Sequence, residues 1–444
     1  MNDLDMIKES VLFKNINIFV FIFIPIFASI SVLYSCSSKV NEEIKPRILI
    51  SSDIGGTDPD DFQSMIHLLM YADLFQIEGL VSSPYGMGRK QDFLDIIDLY
   101  EEDFPNLKKH SKDFPSPTSL REVCKQGGTE LANYKGYGQS TEGSNHIIHC
   151  ANKESDQPLW VLVWGGLEDL AQALHDDSTI VNRIKVYWIG GPNKKWSANA
   201  YNYIADHHPN LWIIEANATY RGWFMDDGFP SDISSKGYYD HYIQGKGVMG
   251  KAFKNYYDGQ IKMGDTPSLA YLMDGDSDDA TGGSWGGQFT RMGYSSRSVF
   301  YRNTTVDDTL STYAIIEWRF PGPRIDIPQD SVCFKMEISK QIWHGYYLGN
   351  GQYGVRYSSK KPERASYKTQ SQIEELNNLT GQFVSIVPWP GERGASDYSL
   401  GQHWYGDRPE AEYFISDQQG AKTVSKYRKD FLMDWAQRWT WLAE

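Results

Sequence analysis

Short apolar blocks, each closed by a glycine-rich or acidic turn, recur through the first half of the chain. Ile48, Leu49 and Ile50 form the first, a run of the kind that makes a buried strand. Phe62, Met65, Ile66, Leu68 and Leu69 follow at helical spacing. Residues 77–83 (IEGLVSS) predict a second strand, and 92–100 a helix. Residues 105–118 are polar and proline-bearing, which predicts a loop. Residues 142–149 predict a helix on which His146 and His149 share a face. Residues 159–164 (LWVLVW) predict a continuous apolar strand, turning at Gly165 and Gly166 into a helix over 167–174. The unit returns at 186–189 (VYWI) before Gly190, Gly191 and Pro192, and again as a strand at 211–215 (LWIIE). Strands alternating with helices predict an α/β fold with a doubly wound, mainly parallel sheet. Ligands of such sheets bind outside the carboxyl ends of the strands.

The pattern changes after residue 273. Residues 273–289 form a glycine- and acid-rich loop whose DGDSDD core lacks the spacing and terminal glutamate of an EF-hand. Beyond it lies an added β-rich region, with strands predicted at 313–320, 332–339 and 382–387. Residues 357–368 predict a polar loop, with Lys360, Lys361 and Arg364 on a solvated face. Near the end, Phe431, Leu432, Trp435, Trp439 and Leu442 fall on one side of a helix that should dock on an apolar surface. The expected organisation is a signal segment (1–36), a tether (37–46), an α/β domain (47–295), a β-rich module or insertion (296–421) and a terminal helix (422–444) docked on the α/β domain.

The amino terminus reads as a targeting segment. Lys8 and Lys14 accompany an apolar run over 16–33 that stops at Leu33-Tyr34-Ser35-Cys36. This resembles a bacterial lipoprotein signal, which would leave Cys36 lipidated and the chain on the cell envelope, at its periplasmic face or outer surface. A membrane-spanning signal anchor is the rival reading. The net charge of −14 argues against nucleic acid or an anionic membrane surface as partner. The 14 Trp and 28 Tyr serve either sugar-binding platforms or an aromatic core. Of the remaining cysteines, Cys124 and Cys150 are the nearest candidates for a disulfide. No CxxC occurs, so zinc is not expected.

The chemistry concentrates in RILISSDIGGTDPDDF, residues 47–62. Asp53, Asp58, Asp60 and Asp61 place four carboxylates within nine residues at the end of the first strand. Packed carboxylates repel, and a hard cation such as Ca²⁺ or Mg²⁺ with oxygen ligands would offset the charge. A solvated acidic loop favouring a helix N-terminus is the plainer reading.

Residues 52–62, GGLEDLA at 165–171, IGGP at 189–192 and GDTPS at 264–268 carry a resemblance. Through them the chain from about 47 to 289 is similar to the nucleoside hydrolase-like family of secreted bacterial proteins, some labelled cellulose-binding. The resemblance implies Ca²⁺ held by Asp53, Asp61, Asp265 and the main-chain carbonyl of Glu168, with Asp60 on a sugar hydroxyl. It implies Asp53 as base for the attacking water, with Asp58 as a rival. Ala200-Tyr201-Asn202 stands where the family has a ribose-binding Glu-Phe-Asn, so Asn202 is kept and the glutamate lost. Gly264 stands where many members have a histidine that assists departure of the base. A glycan or oligosaccharide outside the cytoplasm is therefore the expected substrate of a metal-dependent glycoside hydrolase. His146, His149, His207 and His208 are the candidate acids, and Trp285 a candidate sugar platform. A non-catalytic glycan-binding lipoprotein and a nucleoside N-ribohydrolase are the alternatives. If Cys36 carries the anchor, palmitate labelling of a Cys36→Ser protein vanishes and the chain leaves the membrane fraction; undiminished labelling excludes the anchor.

Overall fold

The computed structural model describes residues 45–83, 89–226 and 228–443. The signal segment, Cys36 and most of the tether lie outside the described residues. Strands β1 (Arg47–Ser52), β2 (Gln76–Ser82), β3 (Cys124–Gln126), β4 (Leu159–Val163), β5 (Ile184–Ile189), β6 (Trp212–Ala216) and β7 (Phe289–Arg291) belong to one sheet. The later strands are β8 (Tyr294–Ser295), β9 (Arg297–Phe300), β10 (Thr309–Ser311), β11 (Ile315–Pro321), β12 (Val332–Ile338) and β13 (Gln341–Gly349). They continue with β14 (Gln352–Ser358), β15 (Glu363–Ser371), β16 (Thr380–Ile386), β17 (Tyr398–Ser399) and β18 (Trp404–Asp407). The helices are α1 (Asp60–Met70), α2 (Lys90–His110), α3 (Pro117–Glu122), α4 (Glu142–Ala151), α5 (Glu168–Asp176) and α6 (Gly191–Trp196). After them come α7 (Ala198–His207), α8 (Gly247–Phe253), α9 (Thr266–Ala270), α10 (Lys422–Ser425) and α11 (Arg428–Trp439).

The first sheet runs β3-β2-β1-β4-β5-β6-β18-β7 and is parallel from β3 through β18. The strand order reverses between β1 and β4, which puts a switch point, the usual ligand crevice, above those two strands. β1 is buried at all six positions because both faces are covered. Its side chains alternate between two cores: Ile48 and Ile50 join one, Leu49 the other. The first core is closed by α11, whose Trp435 stacks on Tyr238 at 5.3 Å beside Phe431 and Trp439. β18 comes from within the stretch expected to be the added β-rich region, yet it pairs parallel to β6 and antiparallel to β7. Among the described residues no helix is long and apolar enough to cross a membrane.

The second sheet, β10-β16-β15-β12-β13-β14-β11-β9, is antiparallel except at its two edges. It packs its own aromatic core around Trp318, Tyr357 and Phe383.

Three expectations need correction. The loop predicted over 105–118 is largely helical: α2 continues through Pro105 to His110. The extension buries Leu107 completely, and Asp103 accepts the amides of Val248 and Met249 at 2.9 and 2.8 Å. This packing outweighs the hydrogen bond that proline removes. The polar loop predicted over 357–368 shrinks to the few residues between β14 and β15. In β15 Ala365, Tyr367 and Thr369 turn inward while Arg364, Ser366 and Lys368 face water, a period-two pattern masked by its polar members. Cys124 and Cys150 form no disulfide: each thiol is free and buried, directed at the carbonyls of Leu120 and Glu78.

One buried acid ties the two sheets together. Glu317 on β11 accepts from Arg356 at 2.9 Å, Arg297 at 2.6 Å, Arg319 at 2.5 Å and the Tyr134 hydroxyl at 2.5 Å. Burial opposes its charge, but the arginines outweigh it and hold the carboxyl far below the usual glutamate range. That stabilisation is complete above the unfolded glutamate pKa and is lost as the pH falls from there through the lowered folded value. Glu317→Gln should cost about 3 kcal/mol at neutral pH in urea denaturation, since it strands buried guanidinium groups. The acid limb of its stability profile should be flatter than the wild-type limb.

Candidate functional site

The carboxyl end of β1 leads into a loop in which Gly55 adopts φ 82°, a path open to glycine. The Ser52 hydroxyl donates to Asp61 and accepts the Ile54 amide at 3.0 Å, fixing the start of α1 against the strand. Asp60 and Asp61 occupy the first turn of α1. Asp265, at the start of α9, is positioned from three sides. The Ser64 hydroxyl lies 3.3 Å from its Oδ2, and its carbonyl accepts from Ser268 at 2.7 Å. The indole of Trp164 in turn donates to Ser268 at 2.8 Å.

Asp60, Asp61 and Asp265 thereby converge, each offering an oxygen within 4.8 Å of the others. Asp61 and Asp265 are buried and Asp60 partly so. Burial foremost, then the neighbouring carboxylates, pushes all three well above the ordinary aspartate range. Lys262 draws Asp60 down, but its ammonium bonds Asp58, at 3.3 Å. Three buried oxygen donors so placed, each penalised as a bare charge, fit a hard divalent cation.

Around them opens a cavity of about 900 Å³. Asp53, Asp60, Asp61 and Asp265 line one part of it. Trp164, Tyr220 and Phe224 add aromatic surface. The remaining wall joins α6 to the second sheet: Lys195 and Trp196 meet Gln341, Trp343 and His344 of β13, with Arg356 of β14 and Lys360 beyond. Trp196 and Trp343 stack at 5.3 Å with their planes 9° apart.

Asp53 borders the cavity beside the three-acid cluster without belonging to it. Its carboxyl is raised to about 7, mainly by burial and also by Asp58 and Glu168. A Cβ at Gly165 would lie 2.8 Å from Asp53 Cβ, so the glycine turn after β4 lets this aspartate nestle there. Asp58 also borders the cavity but is exposed and paired with Lys262. Asp60, expected on a sugar hydroxyl, sits within the cluster, where it can also serve as a ligand. Glu168 does not line the cavity; its carboxylate accepts from Ser197 at 2.5 Å.

Two expected substrate contacts lie elsewhere. Asn202 faces the interior, its Oδ1 accepting from the Tyr398 hydroxyl at 2.7 Å, while Asn199, three residues earlier on α7, lines the cavity. Trp285 packs against the first core, outside the cavity. None of His146, His149, His207 and His208 lines the cavity, whereas His344 does. His146 bonds the Glu78 carbonyl at 2.9 Å and His207 that of Tyr203 at 3.1 Å. The wall residues 341–346 read QIWHGY, where only the clustering of Trp, His and Tyr could have marked them. Lys360, expected on a solvated face, is exposed yet borders the cavity.

This sheet, with a carboxylate-lined cavity at its switch point, defines a nucleoside hydrolase-like α/β protein. Residues 47–289, more than half of the chain, match the family described as "Cellulose-binding Sde182, nucleoside hydrolase-like domain", and the chain belongs to that family. Residues 309–372 match a domain of unknown function, DUF5060. One similar solved structure is a nucleoside hydrolase-related hypothetical protein from Saccharophagus degradans, described as associated with carbohydrate metabolism. It is 18% identical over 78% of this chain and 100% of that one, with a TM-score of 0.47. Another is the inosine-uridine preferring nucleoside hydrolase of Bacillus anthracis, 16% identical over 57% of this chain and 87% of that one, with a TM-score of 0.37. No curated protein matches the chain.

Removing one charge from the cluster has opposite effects on folding and on cation affinity. Without metal, Asp60→Asn should raise stability by about 1 kcal/mol, or ~2 °C in the melting temperature. Added Ca²⁺ should stabilise the wild type further, and the variant less. Melts with calcium and with chelator measure both.

Proposed function

We propose that the protein is a divalent-cation-dependent glycoside hydrolase acting on a glycan or oligosaccharide outside the cytoplasm. The observation that carries this reading is the convergence of Asp60, Asp61 and Asp265 within 4.8 Å, in a cavity that also bears indole faces. These three carboxylates would hold the ion, which we take to be Ca²⁺. When bound, it supplies charge compensation and an anchor for vicinal sugar hydroxyls. Asp53 is the base. Placed on the cavity beside the cluster, it takes the proton of the attacking water. Neighbouring carboxylates favour the positive charge that develops on the sugar ring. The departing oxygen needs a proton, and His344 is the histidine on the cavity that can deliver one. The partly exposed indole of Trp196, backed by Trp343, suits the apolar face of a pyranose. The family description, cellulose-binding, agrees with a sugar ligand. A lipid on Cys36 would keep the activity at the cell envelope.

Gly264 favours a second reading, a non-catalytic glycan binder. A Cβ at this position would approach Asp60 Oδ2 to 2.8 Å, so the metal cluster occupies the room that a histidine there would require. Hydrolysis assays on oligosaccharides and on inosine and uridine, with and without chelator, separate the readings. The expected outcome is turnover of a glycan, abolished by chelator, with kcat lowered by ~10²–10⁴ in Asp53→Asn. Glycan binding without turnover selects the binder, and cleavage confined to nucleosides overturns both.

A further inference from the structure

Consecutive lysines on α6 differ in one respect that bears on the ligand. Lys194 is wholly buried, and its ammonium is neutralised by Glu215 at 2.6 Å. Lys195 is 5% exposed and borders the cavity, yet no carboxylate stands within ion-pair distance of it among the described residues. Its ammonium donates to the neutral Gln341 amide oxygen and lies over the rings of Trp343 and Trp196, at 5.0 and 5.4 Å from their centroids. Burial and the charges of Lys360 and Lys361 draw its pKa down to about 8, against the opposite pull of Glu363. A buried ammonium costs free energy unless something pairs with it. Here positive charge accumulates instead. Lys360 shares the cavity, and Arg356 on the same wall divides a single carboxylate, Glu317, with Arg297 and Arg319. The cavity therefore carries, besides its acids, two lysines, Lys195 and Lys360, with no ion-pair partner among the described residues, beside an aromatic wall.

We infer that the natural ligand is a glycan unit bearing an anionic substituent, a uronate carboxylate or a sulfate ester, set against Lys195 and Lys360 while its ring hydroxyls face the Asp60–Asp61–Asp265 cluster. The inference rests on the glycan reading above and narrows it to one class of sugar. The ligand brings the counterion that Lys195 lacks, and the charge-assisted hydrogen bonds that form are stronger than those of a neutral hydroxyl. Neutral glucans supply no such partner.

Calorimetric titration of the full chain in calcium buffer tests it. The ligands are an oligogalacturonate, its methyl ester, a sulfated oligosaccharide and a neutral parent of equal length. One anionic ligand should bind about tenfold tighter than its neutral counterpart. Which of the two does so identifies carboxylate or sulfate as the recognised group. The advantage should weaken with added salt and disappear in Lys195→Met. Lys360→Met, at an exposed position where folding is not at risk, should reduce it several-fold. Equal affinity for the acid, the sulfate, the ester and the neutral sugar overturns this inference and leaves the glycan reading intact. Absence of binding by every sugar overturns both.

Discussion

Like charges held together against their repulsion set the terms for the rest of this molecule. Three aspartates from the two ends of a long domain meet within 4.8 Å, two of them buried. Nothing local makes that favourable. It persists because α1 and α9 are pinned by serine hydroxyls and by the Trp164–Ser268 contact, and because the sheet beneath is clamped by two aromatic cores. A site that stores repulsion in this way costs the fold stability. The large aromatic content reads as part of the same balance. Trp188, Trp223, Trp318, Trp389, Trp404, Trp435 and Trp439 are almost wholly buried away from the cavity, which Trp164, Trp196 and Trp343 line, so most tryptophans serve the scaffold.

Legibility from sequence followed locality. The acid motif after β1 and the glycine turns after β4 and β5 encode their geometry within a few residues, and the sheet class with them. Asp265 was reachable only through a family resemblance, because no rule of spacing links residue 61 to residue 265. Asn202 illustrates a finer limit. The motif lies on α7, where one turn along the axis decides whether Asn199 or Asn202 meets the cavity, and Asn202 packs against Tyr398 instead. The second wall was hidden for another reason. Trp343, His344 and Arg356 lie on β13 and β14, and their role arises only from the docking of the second sheet beside α6. Pro105 gave a false stop because burial of Leu107 outweighs one missing hydrogen bond.

The separation of charge in the cavity has the same origin. The acidic part is built by the family domain alone, whereas the basic part joins α6 of that domain to strands matched as a domain of unknown function. Glu317 and Tyr134 hold that junction in register. The carboxylate cluster and the wall of Trp343, His344 and Arg356 thus reside in different stretches of chain that share one surface.

Strand β18 adds a matter of timing. β7 takes its strand pairing from β18, and β6 receives its outer neighbour from the same segment. Until residues 404–407 arrive, β6 presents an open edge and β7 has nowhere to pair. A chain made from its amino terminus cannot finish this sheet until residues 404–407 have been synthesised, nearly two hundred residues after β6, so the half-built domain needs shielding from association with its own kind in the interval.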